Sequence, residues 1–311
     1  MEKEKAPIEE TEKEVKMYIF NILAGTRACN ARCPCCISGM TPPRGMSLKE
    51  TPINWGRFDK ALRYAKEWQA ETEMLTGKGE PALFPRQITE YLQHTKAFEE
   101  ANGFRFKTKE IQTNGILIAQ KPEKFNPYLK EWKALGLDTI SISIVHYEPE
   151  PNRKFYIPYQ KAYIDLPGLI NQLHEYGLRA RLSCIFIKGM IDSPQKVVEL
   201  IDFARKNNAD ELTIRSMSKP DRSENEAIYK WVEENEISLE QKKQITAKIW
   251  RIGKPVRPYP WGAVVFDING QNVCLTNCIS PDDLPGTHRL IVFFPQGDIA
   301  TGWTADAALL P

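Results

Sequence analysis

Four of the chain's seven cysteines fall within eight positions, at Cys29, Cys33, Cys35 and Cys36; the others are Cys184, Cys274 and Cys278. A disulfide framework spreads its cysteines along a secreted chain, whereas a cluster this dense in a reducing compartment marks a metal site. Three thiolates spaced Cys29-x3-Cys33-x2-Cys36 can each bind a different iron of one cubic cluster. An ordinary four-iron cluster takes four cysteines. With three, one iron stays open to an outside ligand, the arrangement that separates catalytic from structural metal sites. The competing chemistry is a structural zinc knot or a redox pair. Zinc takes four ligands, usually at paired spacings, and the first histidine in the chain is His94.

These cysteines need elements to hold them. The chain has 311 residues, 42% hydrophobic and 26% charged, which is a globular profile with enough apolar material for a sizeable core. Its formal net charge of +2 exerts no general pull on nucleic acid or anionic membrane. No apolar run approaches the roughly 18 residues needed to span a bilayer. The N-terminus, MEKEKAPIEETEKEVK, lacks the apolar centre of a signal peptide. Residues 1–15 read as a solvated, mobile arm, and the whole as a cytoplasmic protein.

Short apolar strands then alternate with amphipathic helices. Strands are expected at 17–24, 72–76, 104–113, 139–145, 180–187 and 211–215, and helices at 54–69, 85–101, 123–135, 165–176, 194–207 and 223–235. This alternation signals a parallel sheet with crossover helices. Six β/α units over residues 16–220 make the fold class α/β, a partial (β/α)6 TIM-like barrel with fewer strands than the closed form. The pattern breaks at 221–311. Ser238 and Gln241 form a capping-box pair opening a helix near 239–252. KPVRPYPWG reads as an extended link, Asn269-Gly270 as a hairpin turn, and Pro295–Asp298 as a second. This C-terminal extension is expected to close the open barrel and its cavity.

Strand parity bears on function. Ser141 and Ser143 oppose Ile140, Ile142 and Ile144; Arg181 and Ser183 oppose Leu182, Cys184 and Phe186; Thr213 and Arg215 oppose Leu212 and Ile214. Helices cover the apolar face, so the polar set points into the barrel. A closed barrel fills that space with branched apolar side chains. Polar inward faces on three strands imply a ligand cavity.

CNARCPCC resembles the CxxxCxxC signature of the radical S-adenosylmethionine (radical SAM) superfamily. TGKGEP (Thr76 to Pro81) resembles that family's Gly-Gly-Glu segment, QTNGIL its Thr-Asn-Gly at the third strand, and SISIV its fourth strand with a Ser facing the cofactor. IFIKGMIDSPQKVVELIDFA is similar to the molybdenum-cofactor GTP cyclase branch. Together these motifs cover residues 17–217 in the family's order. The resemblance implies that Cys29, Cys33 and Cys36 hold a [4Fe-4S] cluster whose open iron is chelated by S-adenosyl-L-methionine (SAM). An electron, from a flavodoxin or ferredoxin, then cleaves SAM to a 5′-deoxyadenosyl radical that abstracts hydrogen from the substrate. By the same resemblance Gly79 and Glu80 contact the SAM amino group, Gly77 lets backbone approach the methionine moiety, and Thr113, Asn114 and Ser143 lie at the cofactor. Lys78 is a candidate for the carboxylate, and Ser183 and Arg215 for the SAM or substrate pocket. One position departs from the family: where a bulky residue usually precedes the third cysteine and borders the adenine, this chain has Cys35.

A non-enzymatic iron–sulfur or zinc protein is the alternative of another class, but an electron carrier has no need of GKGEP, TNG and inward serines. The expected substrate is a small molecule such as a nucleotide or other phosphorylated metabolite, with a peptide as the alternative and nucleic acid disfavoured by charge. Tyr147, Tyr156 and Tyr159 lie in a connection where a substrate lid or plain aromatic packing is expected. Cys184 reads as a buried small hydrophobe. Cys274 and Cys278 read first as packing residues, then as part of a second cluster or a hydrogen-donating thiol.

Overall fold

A computed structural model describes residues 16–217, 219–277 and 287–311. The expected N-terminal arm and Cys278 lie outside the described residues. In chain order the first half runs β1 (Lys16–Leu23), α1 (Ile37–Met40), α2 (Trp55–Glu67), β2 (Thr72–Thr76), α3 (Pro85–Asn102), β3 (Thr108–Thr113), α4 (Ile116–Gln120), α5 (Pro122–Ala134), β4 (Thr139–Ile144) and α6 (Pro149–Tyr156). The second half runs α7 (Leu166–Glu175), β5 (Arg179–Phe186), α8 (Pro194–Lys206), β6 (Glu211–Ser216), α9 (Glu226–Asn235), α10 (Leu239–Ile252), β7 (Lys254–Pro258), β8 (Val264–Ile268), β9 (Gln271–Asn277), β10 (Thr287–Phe293) and β11 (Ile299–Ala300).

Local chemistry sets many of these boundaries. Asn54, Ser193 and Ser238 each accept a backbone N–H at the start of α2, α8 and α10, which satisfies donors the first helical turn leaves orphaned. Gln241 completes the capping box on Ser238. Asn269 and Gly270 both take positive φ, 52° and 84°, as a two-residue hairpin between β8 and β9 requires. β3 begins at Thr108, four residues later than the expected 104: Phe104 and Phe106 instead stack edge-on, 4.9 Å apart, against the core.

The strands form one open sheet in the order β11-β10-β1-β2-β3-β4-β5-β6-β9-β8-β7. The fold is mixed α/β, a partial barrel that does not close on itself. Every pairing from β10 through β1 to β6 and β9 is parallel. The segment after residue 220 therefore extends both edges of the six-unit core, β9 beside β6 and β10 beside β1. KPVRP is not a mere link but the edge strand β7, where Pro255 and Pro258 are tolerated because an edge can forgo ladder donors.

Side chains link the β7 edge to β1 and the start of β2, where backbone does not. Arg257 of β7 donates to the Glu71 carboxylate at 2.9 Å, which Lys107 also approaches at 3.1 Å. Trp261 meets Tyr18 of β1 edge-on with ring centroids 4.9 Å apart. Arg257 is 52% exposed, so this seam is screened by water. Arg257→Ala is expected to lower stability by less than about 1 kcal/mol in thermal denaturation. A larger loss would show the ion pair, and not the core, to be holding β7 to the β1–β2 region.

Inside, Ser143, Ser183 and Thr213 lie in register across β4, β5 and β6, as do Ser141, Arg181 and Glu211. Arg181 donates to Glu110 at 2.5 Å and to Glu211 at 2.6 Å. An ion network thus fills a level that branched apolar side chains occupy in closed barrels. Cys184 points the other way, fully buried in the helix-covered core. No helix among the described residues is long and apolar enough to cross a membrane.

Candidate functional site

The cysteine segment leaves the C-terminal end of β1 and crosses one end of the parallel sheet before α1. Three other elements hold it. From the β2 loop, Glu80 N–H donates to the Ala28 carbonyl at 2.9 Å. From the end of β3, Asn114 Nδ2 donates to Asn30 Oδ1 at 2.8 Å. From α6 and the turn after it, the Tyr156 carbonyl accepts the Arg32 N–H at 2.8 Å, and the Tyr159 hydroxyl donates to the Asn30 carbonyl. The motifs that the sequence spaces some forty residues apart thus meet on one short loop.

One cavity of about 320 Å3 opens beneath this loop. Cys29, Cys33 and Cys36 line it together with Gly77, Gly79, Glu80, Thr113, Asn114, Ser143 and Arg215. Burial raises the Cys33 thiol well above its ordinary value, and the charges of Cys35, Cys36 and Cys29 raise it further. Thiolates that repel one another at a cavity wall fit a polynuclear cation. Among the described residues no three His, Cys, Asp or Glu side chains converge as a single metal ion would need. A four-iron cube takes its thiolates at separate corners, so the spread set fits the cluster better than a zinc knot.

Two of the expected site residues lie elsewhere. Lys78 is 4% exposed and does not line the cavity. Its Nζ donates to Thr41 Oγ1 at 2.5 Å and sits 4.9 Å from the centre of the Trp303 ring. Burial lowers its pKa to about 8. It is neither a solvated loop lysine nor a cavity-lining cation; it ties α1 to the C-terminal tail. Ser183 faces the interior in register with Ser143 but is buried, and Ile185, one step nearer the strand's C-terminal end on the same face, lines the cavity instead.

The GKGEP and TNG segments also contact each other. Glu80 accepts hydrogen bonds from the Ala82 and Asn114 backbone N–H groups, both at 2.9 Å, and from the Thr113 hydroxyl. Burial raises its pKa, and these three donors oppose the shift. Its carboxylate therefore welds the two motifs together. The space a side chain would take at residue 79 is filled by protein: an added Cβ would sit 2.0 Å from the Ala28 carbonyl oxygen. That glycine serves close approach of two backbones, the β2 loop and the cysteine loop.

Sequence reasoning missed the cavity contributions of the chain's end. Arg289 and Leu290 of β10 and Trp303 line the same space. Arg44 secures that tail by donating to the Thr304 and Ala307 carbonyls at 3.1 and 3.2 Å. No local signal marks these residues, because their place depends on β10 pairing with β1. Tyr156 lines the cavity, while Tyr147 lies outside it and donates to Glu199 at 2.7 Å. Cys274 is half-buried on β9 in register with Thr213, and so on the inner face.

The sequence profile described as the Radical SAM superfamily matches residues 23–204. Curated protein sequences give no match. Among solved structures, Streptococcus suis SuiB bound to S-adenosylmethionine is similar, with a TM-score of 0.58 and 14% identity over 95% of this chain and 63% of SuiB. SuiB bound to precursor peptide SuiA gives a TM-score of 0.55 at 14% identity, over 92% of this chain and 60% of that one. Methylornithine synthase (PylB) gives 0.50 at 12% identity, over 86% and 74%. At such identities the likeness is one of fold, and the chain spans less than two thirds of SuiB's length. The branch-level resemblance to molybdenum-cofactor GTP cyclases gains no support from these comparisons.

Proposed function

Because the chain belongs to the radical SAM superfamily, we propose that it is an enzyme that cleaves SAM reductively and uses the resulting radical to take hydrogen from a small-molecule substrate. The observation that carries this reading is the single cavity shared by Cys29, Cys33, Cys36, the GKGEP loop, Asn114 and Ser143. Cys29, Cys33 and Cys36 would hold a [4Fe-4S] cluster. When bound, that cluster supplies the electron that breaks SAM into methionine and a 5′-deoxyadenosyl radical.

The chain's own contribution is placement and exclusion of water. Asn114 and the Gly79–Glu80 backbone hold the thiols at the cavity wall. Gly77 and Gly79 let the β2 loop lie close against backbone, Gly77 beside Ala24 and Gly79 beside Ala28. Ser143 offers a hydroxyl from β4. Phe155, Tyr156 and Trp303 supply apolar wall, which protects a reactive radical from solvent. Cys35, half-buried against the core, stands where an adenine neighbour is usual in the family. A flavodoxin or ferredoxin donor and a cytoplasmic, reducing setting belong to the same proposal.

Anaerobic reconstitution with iron and sulfide, followed by dithionite and SAM, is expected to yield 5′-deoxyadenosine. A protein with a full four-iron cluster that makes none would overturn the reading in favour of an electron carrier. A peptide is the alternative substrate, and it would present one side chain to the cavity. Mass spectrometry of deuterium transferred into 5′-deoxyadenosine from candidate metabolites or peptides separates the two.

A further inference from the structure

Two phenol hydroxyls are buried next to each other's rings with nothing to bond. Tyr156 ends α6, and Tyr163 lies on the connection to α7; their rings stack with centroids 6.3 Å apart and planes 24° apart. Both hydroxyl oxygens are closed off from solvent, and neither has a hydrogen-bond partner among the described residues. They do not satisfy each other either. A buried polar group left unmet costs about 1–3 kcal/mol, and native structures hold few of them. Two on stacked rings call for a common acceptor.

Their surroundings indicate which one. Tyr156 lines the same cavity as Cys33, and its backbone carbonyl accepts the N–H of Arg32, the residue before Cys33, at 2.8 Å. The Tyr159 hydroxyl, in the turn after α6, donates to the Asn30 carbonyl of the same loop. The tyrosine segment and the cysteine loop are thus fixed to each other by backbone. Burial, and then the charge of Cys33, raises both phenols above their ordinary value. Both therefore stay protonated donors at any working pH. A thiol sulfur is a weak acceptor, and Cys33 Sγ bonds neither hydroxyl here. A thiolate on iron, with sulfides around it, carries the charge that makes a strong acceptor.

We infer that the Tyr156 and Tyr163 hydroxyls donate to sulfur at the Cys33 corner of the cluster and thereby set its reduction potential. The inference rests on the proposed function for the cluster itself. Hydrogen bonds to the sulfurs are among the controls on an iron–sulfur potential. Reduction adds one electron and moves no proton, so the reduced state is the more negative and gains more from a donor. The two hydroxyls therefore raise the potential and make the cluster easier to reduce. They act through the sulfur and are positioning residues: Tyr163 does not line the cluster cavity, and so stands apart from SAM and substrate.

The test is a redox titration of the reconstituted protein without SAM, followed by electron paramagnetic resonance of the reduced cluster. Tyr156→Phe and Tyr163→Phe keep the ring and remove the hydroxyl. Each is expected to lower the reduced-to-oxidised ratio at a fixed potential about threefold, and the double variant about tenfold, a move of about 59 mV to more negative potential for one electron. About four irons per chain are expected in every variant. The apo-proteins should melt no lower than the parent, because an unmet hydroxyl has gone. Tyr147→Phe, whose hydroxyl bonds Glu199 outside the cavity, should leave the potential unchanged. A double variant with the parent's potential, or with a less negative one, overturns the inference. Loss of iron from both single variants also overturns it, because the hydroxyls then serve assembly and not potential. A parent protein that forms no four-iron cluster sinks this inference together with the proposed function. A parent whose cluster is reduced but yields no 5′-deoxyadenosine sinks the proposed function alone, and the titration still decides the role of the tyrosines.

Discussion

Cys33→Ala, reconstituted anaerobically with iron and sulfide, is expected to retain no stable four-iron cluster and to make no 5′-deoxyadenosine. In the proposed function three thiolates anchor the cluster, so losing one would remove a third of the covalent attachment and expose a second iron. Burial, and the neighbouring Cys35, Cys36 and Cys29, raise the Cys33 thiol well above its ordinary value, so a bound cation would favour the thiolate there. Cys29→Ala and Cys36→Ala are expected to behave alike. Cys35→Ala is the informative contrast. Cys35 lines the same cavity as the other three, but adjacent side chains diverge, so Cys35 and Cys36 do not both reach one cluster and that variant is expected to keep about four irons per chain. Iron quantitation and electron paramagnetic resonance of the reduced protein check the set. Iron lost from Cys35→Ala but kept by Cys36→Ala would reverse the ligand assignment.

Gly79→Ala is expected to damage the site without touching a thiol. The added methyl would lie 2.0 Å from the Ala28 carbonyl oxygen and 2.7 Å from its carbon. Both are backbone atoms, so no rotamer change relieves the contact. Separation of the two loops would also stretch the Glu80 N–H to Ala28 bond of 2.9 Å. Overpacking of this kind costs about 3 kcal/mol, and the displaced loop carries Cys29. The apo-protein should melt at lower temperature, and the reconstituted protein should lose iron faster on dilution. Gly103→Ala is the control: its φ is +59°, and nothing lies within 4 Å of an added Cβ. It should cost about 1 kcal/mol through backbone strain and leave iron retention alone. A Gly79→Ala protein as stable and as well loaded as the parent would show that the loops can part freely.

These two sites differ in how they could be read from sequence. The cysteine spacing is local, and Cys29, Cys33 and Cys36 line one cavity. Gly79 was legible as a residue that permits close approach, but the partner was not: GKGEP resembles a cofactor-binding segment, and the structure packs Gly79 against Ala28. Glu80 was likewise legible as important. That its carboxylate joins the β2 loop to Thr113 and Asn114 follows only once β2 and β3 are adjacent. Parity assigned Ser143 and Arg215 to the inner face, and both line the cavity; it assigned Ser183 to the same face but could not tell the depth at which Ile185 replaces it. Lys78, exposed-looking in a glycine-rich loop, is covered by Trp303, some 225 positions away.

What the sequence determined by itself is what neighbouring residues carry: the period-two strands and amphipathic helices, the cap at Ser238, the Asn269-Gly270 turn and the three-cysteine signature. Each follows from dihedral preference, hydrogen bonding or spacing within a few positions. What only the tertiary structure decided is who pairs with whom over long separations. β10 joins β1 across the start and end of the chain, and β9 takes the other edge beside β6. That choice brings Arg289 and Trp303 to the cavity. A strand's own residues state which face is apolar but not which edge it will meet, because the ladder's donors and acceptors are the same backbone groups in every strand; the selection is made by the packing of all the covered faces at once.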